Sequence, residues 1–344
     1  MTSERPNWPV IDFHCDVLYK MHLGQALSFE DPTLDVTRSR MKEGGVCLQT
    51  FAIFIPDQVG APRFEHIVRQ VQLFREQIAY PEGGLSTLQW REEAERLSRE
   101  VGIAPEKAEP ILQKAAVAGP AWGLLSLEGA DALEGNLEYI RLSYELGIRL
   151  IGITWNYANW AGDGVLEQRN AGLTNKGREM IRYCNKLGML LDVSHLSESG
   201  FWEVMEQSDT PPVASHSNAR YVREHVRNLH DEQIRALIAR DGRIGLVFYP
   251  PFVKDGVDVC AEDLLPHIEH ICSLGGAGQI MLGSDFDGMD QHVRGLAHPG
   301  DYPAWAELLL KHYPESLVRG WLAGNALGYL SKYLPPAPIS SVKV

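Results

Sequence analysis

The chain of 344 residues has only five cysteines, an odd number, widely spaced and without a C-x-x-C pair. That pattern argues against a disulfide framework or a thiolate metal knuckle and leaves Cys15, Cys47, Cys184, Cys260 and Cys272 as reduced core thiols. Excess positive charge is lacking too. Lys and Arg number 32 against 45 Asp and Glu, a formal net charge of −13 with the signs interspersed. Nucleic acid and anionic membranes both reward a basic face, so neither is expected as a partner. No run of about 18 apolar residues occurs, which excludes a predicted bilayer-spanning helix. The opening MTSERPNWPVIDFH has neither the basic flank nor the apolar stretch of a secretory signal, and the ending LPPAPISSVKV is too short and polar for a lipid-anchor signal. The expectation is a soluble cytoplasmic protein. Internal repeats and low-complexity segments are absent as well.

What the sequence does have is apolar content, 44% of residues, in runs of strand length. They are VIDFH (10–14), GVCLQTFAIF (45–54), WGLLSLE (122–128), RLIGITW (149–155), MLLDVSH (189–195), PVASHS (212–217), IGLVFY (244–249) and QIMLGSD (279–285). Several carry nothing polar until their last residues, as parallel strands buried on both faces do. Between them lie helical patterns. FEHIVRQVQLFREQIAY (64–80) spaces Ile67, Val71, Phe74 and Ile78 by three and four residues. The segments 136–147, 175–188 and 231–242 end in Gly147, Gly188 and Gly242, residues suited to a helix C-terminus, and Ser197 is a candidate N-cap for 197–208. Alternation of strand and helix eight times over predicts a (β/α)8 barrel as one domain. Its longest insertion is expected at about 56–120, with a charged, solvated helix at 90–102, and a proline-rich surface tail at about 335–344.

The chemistry gathers at the strand ends. His14 and Asp16 close the first strand, Glu128 the third, His195 the fifth, His216 the sixth and Asp285 the eighth. The C-terminal rim is where this fold builds active sites, so six potential ligands or proton carriers converge on one mouth. Three imidazoles and three carboxylates form a metal-binding composition suited to zinc. Five ligands can serve two ions with three apiece only if one carboxylate is shared. Taken singly these residues mean little: a lone histidine at a strand end is more often a satisfied histidine than a ligand. Asp285 and Asp287, in the turn-rich GSDFDG, could be turn residues, and that hexapeptide lacks the other positions of a calcium loop. The remaining nine histidines fall in helices or loops and read as surface or structural, although His267 and His270 share a helix face. Asp12 lies deeper in the first strand, where it reads as a partner behind the ligands.

In their order and wording, VIDFHCD, LLSLEGADAL, IRLIGITWN, GMLLDVSHLS, PPVASHSNAR, HVRNLHDEQI and LGSDFDGMD resemble the membrane (renal-type) dipeptidase family, from about residue 10 to 330. The resemblance implies a (β/α)8 barrel and a binuclear zinc dipeptidase, commonly dimeric. Carried over residue by residue, it puts His14 and Asp16 on one zinc, His195 and His216 on the other, and Glu128 between them. Asp285 matches the family's proton-transfer aspartate and Arg227 the arginine that holds the substrate's terminal carboxylate. Tyr249, at the end of the seventh strand, is a further candidate for substrate contact and could equally be a core residue. One departure stands out. Mammalian members carry a histidine shortly after the fourth-strand threonine, whereas here Thr154 is followed by Trp155 and Asn156. Either Asn156 or Tyr157 takes over its hydrogen bonding or the pocket is shaped differently, and WNYANWAGDG (155–164) is expected to line the mouth as a loop.

The expected reaction is hydrolysis of a dipeptide's amide bond by a metal-bridging hydroxide, with Asp285 moving the proton. Two alternatives share the sequence: an amidohydrolase acting on N-acyl amino acids or lactams, and a non-catalytic barrel.

Overall fold

A computed structural model describes residues 8–103 and 121–338 of the chain. Among them, β1 (Val10–Asp12), β2 (Val46–Ile53), β3 (Trp122–Leu127), β4 (Ile148–Gly152), β5 (Leu190–Asp192), β6 (Val213–Ala214), β7 (Arg243–Leu246) and β8 (Ile280–Leu282) run parallel and close into a barrel. Closure comes from the pairing of Asp12 in β1 with Leu282 in β8. A two-residue strand, Ser86–Thr87, adds only to the start of β3. The (β/α)8 architecture expected from the sequence is therefore the one observed.

The apolar runs explain the closure. Every residue of the eight barrel strands is buried, which parallel strands covered by helices require. Ile11, Leu48, Leu124, Leu150, Leu190, Val213 and Met281, one from each of seven strands, share a single apolar cluster. Side chains from strands all round a ring can meet only on its axis, so this layer fills the barrel. Ala326, Leu327 and Leu330 of the helix Asn325–Tyr333 join the same cluster and seal its floor. The charged run at 90–102 belongs to this region. It forms the helix Arg91–Glu100, but Ala94 and Leu97 pack into the floor cluster, so only its other face is solvated.

Several boundaries shift for physical reasons. The observed strands stop one to three residues before the predicted ends, because backbone pairing ceases where the chain turns inward at the mouth. The helical stretch 64–80 is an α-helix, Phe64–Leu73, that widens to a π-helix over Phe74–Ala79. Gly147 and Gly188 do end their helices in the left-handed conformation, and Ser197 does cap Glu198–Gln207 by accepting from the Gly200 amide. Gly242 does not end its helix. Asp241 takes the positive φ, 59°, after the helix Asp231–Ala239. Of the expected insertion, residues 104–120 lie outside the described residues, as do 339–344 of the tail. Pro335 and Ala337 lie against the helix Arg91–Glu100, where the Arg91 amide donates to the Pro335 carbonyl and the Ala337 amide to Glu92.

Candidate active site

Each predicted rim residue reaches the mouth from just beyond its strand. His14 lies two residues past β1, and Asp16 occupies the N-cap position of the helix Val17–His22 without bonding its backbone. Its carboxylate Oδ2 lies 3.3 Å from His14 Nε2 instead. Glu128 follows β3 directly. His195 and Asp285 lie beyond β5 and β8 with φ of 65° and 69°. Left-handed backbone at a non-glycine residue costs on the order of 1–3 kcal/mol and is held in place by the surrounding structure. For His195, an odd number of residues past the inward-facing Leu190, it turns toward the axis a side chain that strand alternation would have placed outside, whereas Asp285, four residues past Met281, lies on the inward side by alternation already.

The six side chains converge. Glu128 is central: Oε2 is 3.6 Å from His14 Nε2, while Oε1 is 3.0 Å from His195 Nε2 and 3.6 Å from His216 Nε2. Asp285 Oδ1 is 3.7 Å from His14 Nε2. Two overlapping groups have ligand atoms within 4.8 Å of one another, His14–Glu128–His216 and His14–Asp16–Asp285. The Nε2 atoms of His195 and His216 face each other at 2.8 Å. Both Nδ1 atoms point outward, that of His195 to Asn156 Oδ1 at 2.8 Å and that of His216 to Ser215 Oγ at 2.7 Å.

The electrostatics call for a cation. Burial pushes Glu128 up to about 8 and Asp285 up to about 7, and the nearby Asp16 carboxylate adds to the rise of both. Burial alone would lower His14, yet Glu128, Asp16 and Asp285 outweigh it and raise its pKa to about 10. Burial, with Arg227 and His14 nearby, holds His195 and His216 well below the usual histidine range, so both rings are neutral. Two neutral imidazoles turn their Nε2 atoms to each other at 2.8 Å, while both Nδ1 atoms are engaged outward. A metal ion between such nitrogens and the carboxylates relieves both conflicts, and His14 Nε2, buried without a hydrogen-bond partner, adds a third donor aimed at the same place. The donor set fits a metal.

Beside this cluster opens a cavity of about 580 Å³, lined among others by Asp16, Glu128, His195, Arg227, Tyr249 and Asp285. One side is aromatic, with Phe54 against Trp155 at 5.1 Å between rings. Arg227 is buried; its Nη2 donates to the His216 carbonyl at 3.1 Å, its guanidinium lies 5.4 Å from the Phe252 ring, and its Nε has no partner. Tyr249 lines the cavity from the N-cap of the helix Pro250–Val253, not from the end of β7. Asn156 also borders the cavity, but its Oδ1 is engaged by His195. That oxygen is thus committed to a ring of the site, while the residue itself still borders the cavity. Tyr157 does not border the cavity and is exposed.

Other expectations resolve into supports. Asp12 accepts from the His14 amide at 3.4 Å, the Ser284 amide at 2.9 Å, Ser284 Oγ at 2.6 Å and Tyr302 Oη at 2.9 Å, stitching β1 to the loop after β8. Asp287 is a buried turn residue that accepts from Lys20 Nζ and from the Asp35 and Val36 amides. His267 is structural, bonded to the Val253 carbonyl and the Ala219 amide. Sequence reasoning missed Asp192, Ser194 and Ser215 behind the histidines. The serines in DVSH and SHS, each one residue before a ligand candidate, were the available signal.

Comparison with known proteins follows this geometry. The profile described as membrane dipeptidase (Peptidase family M19) matches residues 5–332. An uncharacterized protein in the pqqA 5' region of Klebsiella pneumoniae is 36% identical over 173 residues, 47% of this chain and 64% of that protein. The chain spans about half the length of the curated relatives it matches, 64%, 45% and 44% of three of them. Two solved structures are each 27% identical, covering 95% of this chain and 99% of theirs. One is dipeptidase AC, described as a metallo peptidase of family M19, with a TM-score of 0.80. The other, with a TM-score of 0.79, is a metallo peptidase from Rhodobacter sphaeroides liganded with a phosphinate mimic of the dipeptide L-Ala-D-Ala.

Proposed function

The chain belongs to the membrane dipeptidase family, and on that premise we propose that it is a zinc-dependent dipeptidase hydrolysing short free dipeptides. The observation that carries the reading is the convergence of three imidazoles and three carboxylates about Glu128, beside a cavity that also exposes Arg227. In this reading His14 and Asp16 would hold one zinc ion, His195 and His216 a second, and Glu128 both. Bound there, the ions would polarise the scissile carbonyl and lower the pKa of the attacking water toward about 7.

The remaining work falls to the chain's own side chains. Arg227 grips the substrate's terminal carboxylate through charge-assisted hydrogen bonds, for which its partnerless Nε is available. A carboxylate so close to the reacting centre favours free dipeptides over longer chains. Asp285 accepts the proton of the attacking water and passes it to the leaving amine, so the amide nitrogen departs neutral. Tyr249 and the Phe54–Trp155 pair border the substrate and exclude water from it. The Rhodobacter sphaeroides relative, crystallised with a dipeptide mimic, supports the size of substrate.

The test is a dipeptide library assayed alongside N-acetyl amino acids, with metal content determined on the same preparation. Dipeptide turnover by protein carrying about two zinc ions per chain supports the proposal. Turnover of N-acetyl amino acids alone would move the activity to the amidohydrolase reading, and no turnover by metal-loaded protein would leave a non-catalytic barrel. The same reading has one domain acting as a cytoplasmic homodimer. Among the described residues no helix is long and apolar enough to cross a membrane. Light scattering of the purified chain tests the dimer.

A further inference from the structure

We propose that Asp192 and Ser215 form a positioning relay that keeps the ring proton of His216 on Nδ1, and so turns a bare Nε2 into the metal site. The inference rests on the metal-dependent reading above and concerns residues that do not themselves touch metal or substrate.

The relay follows from counting protons. Asp192, the buried last residue of β5, is a carboxylate and can only accept. Its Oδ1 takes the backbone amides of Ser194 and Ser215, both at 3.0 Å. Its Oδ2 takes the hydroxyl of Ser215. A serine hydroxyl has one proton, and this one is committed to Asp192. Toward His216 Nδ1, 2.7 Å away, Ser215 Oγ can therefore only accept. The ring must carry its proton on Nδ1, which leaves Nε2 unprotonated and facing Glu128.

His195 reaches the same state by a different device, since its Nδ1 meets Asn156 Oδ1, an oxygen that cannot donate. The backbone of His216 is fixed as well, because its amide donates to Ser194 Oγ at 3.1 Å. Both serines of the relay region thus precede a histidine of the site, and Asp192 ties them together across the β5–β6 seam. Partners behind metal-binding histidines typically contribute 10–100-fold to metal affinity, by orienting the ring and fixing its tautomer.

Asp192→Asn provides a test that reverses the polarity without changing the shape. The asparagine Oδ1 keeps both backbone bonds, while its amide takes the place of Oδ2 and donates to Ser215 Oγ. The serine proton is then turned toward His216 Nδ1, and the ring proton is displaced to Nε2, where the lone pair is needed. Metal-depleted protein would be titrated with zinc against a chromophoric chelator, and the melting temperature of each metal-free variant recorded as a control on folding. The expected result is loss of affinity for one of two zinc ions by about 10–100-fold in Asp192→Asn and in Ser215→Ala, with the metal-free melting temperatures held and Ser215→Thr restoring wild-type binding. Wild-type zinc affinity in a folded Asp192→Asn protein overturns the relay. If Asp192→Asn does not fold, equal zinc affinity in Ser215→Ala and Ser215→Thr overturns it instead. A wild-type chain that retains no zinc overturns the metal reading itself, a result distinct from failure of the relay.

Discussion

The backbone of Gly288 presses on the carboxylate of Asp16: a Cβ at that glycine would collide with Asp16 Oδ2 and stand 2.7 Å from Asp285 Oδ1. The φ of Gly288 is not among the positive values, so a side chain there is barred by the two carboxylates and not by the backbone. Gly288→Ala is therefore expected to fold with a melting temperature close to wild type while both carboxylates move aside. A displacement of about 1 Å at reacting groups can cost on the order of 100-fold in rate. Steady-state kinetics on a dipeptide substrate check this, and near-normal turnover would show that neither carboxylate needs its observed position.

Asp285→Asn separates proton transfer from metal binding. The amide keeps the shape of the side chain but cannot shuttle a proton. Metal content should stay at the wild-type value while kcat falls by about 10²–10⁴-fold. Parallel loss of metal and activity would make Asp285 a ligand instead, as its grouping with His14 and Asp16 allows.

Arg227→Lys replaces a planar fork by a point charge. For dipeptides with a free carboxylate, kcat/KM should fall by roughly 10–100-fold, mainly through KM. Dipeptide amides, which offer no carboxylate, should be hydrolysed equally by both proteins. An equal loss on both substrates would mean that Arg227 acts through the His216 carbonyl it already contacts.

Asp241 gives a prediction far from the site. Burial alone would raise its pKa, but Arg243, Lys332 and Tyr333 outweigh burial and hold it at about 2. An unfolded aspartate titrates near about 3.9. A depressed folded pKa means stability that is fully present above the unfolded value and lost as pH falls through the folded one. Wild type should exceed Asp241→Asn in urea midpoint at pH 7, with the gap closing between about pH 4 and 2. Asparagine tolerates the positive φ of this position, so the comparison isolates the charge. A gap that persists at pH 2 would assign the difference to something other than ionisation.

The sequence made the barrel and the ligand types legible because both depend on local pattern. Apolar runs such as WGLLSLE name buried strands, and polar residues at their ends name the mouth. Positions that depend on contacts between distant segments were not legible in the same way. Asn156 reads as a spare hydrogen-bonding residue until the chain is folded and its oxygen is found on His195. Asp192 sits within an apolar run and shows its purpose only across the seam with β6. Gly288 looks like one more turn glycine, and Gly242 like a helix terminator, although Asp241 does that work. The uniformly apolar IGLVFY puts Tyr249 on a strand, whereas pairing stops at Leu246 and the tyrosine opens a helix.

The apolar plug of Ile11, Leu48, Leu124, Leu150, Leu190, Val213 and Met281 has a kinetic consequence. Among the described residues the barrel is stoppered at its base, with no rear exit. On the proposed dipeptidase reading, two amino acids released beside Glu128 would leave by the passage through which the peptide arrived, and each one still in transit would block the next arrival. Free amino acids bearing the carboxylate that Arg227 is proposed to hold would accordingly compete for the unoccupied enzyme, and turnover at high product concentration would be governed by the traffic through that doorway.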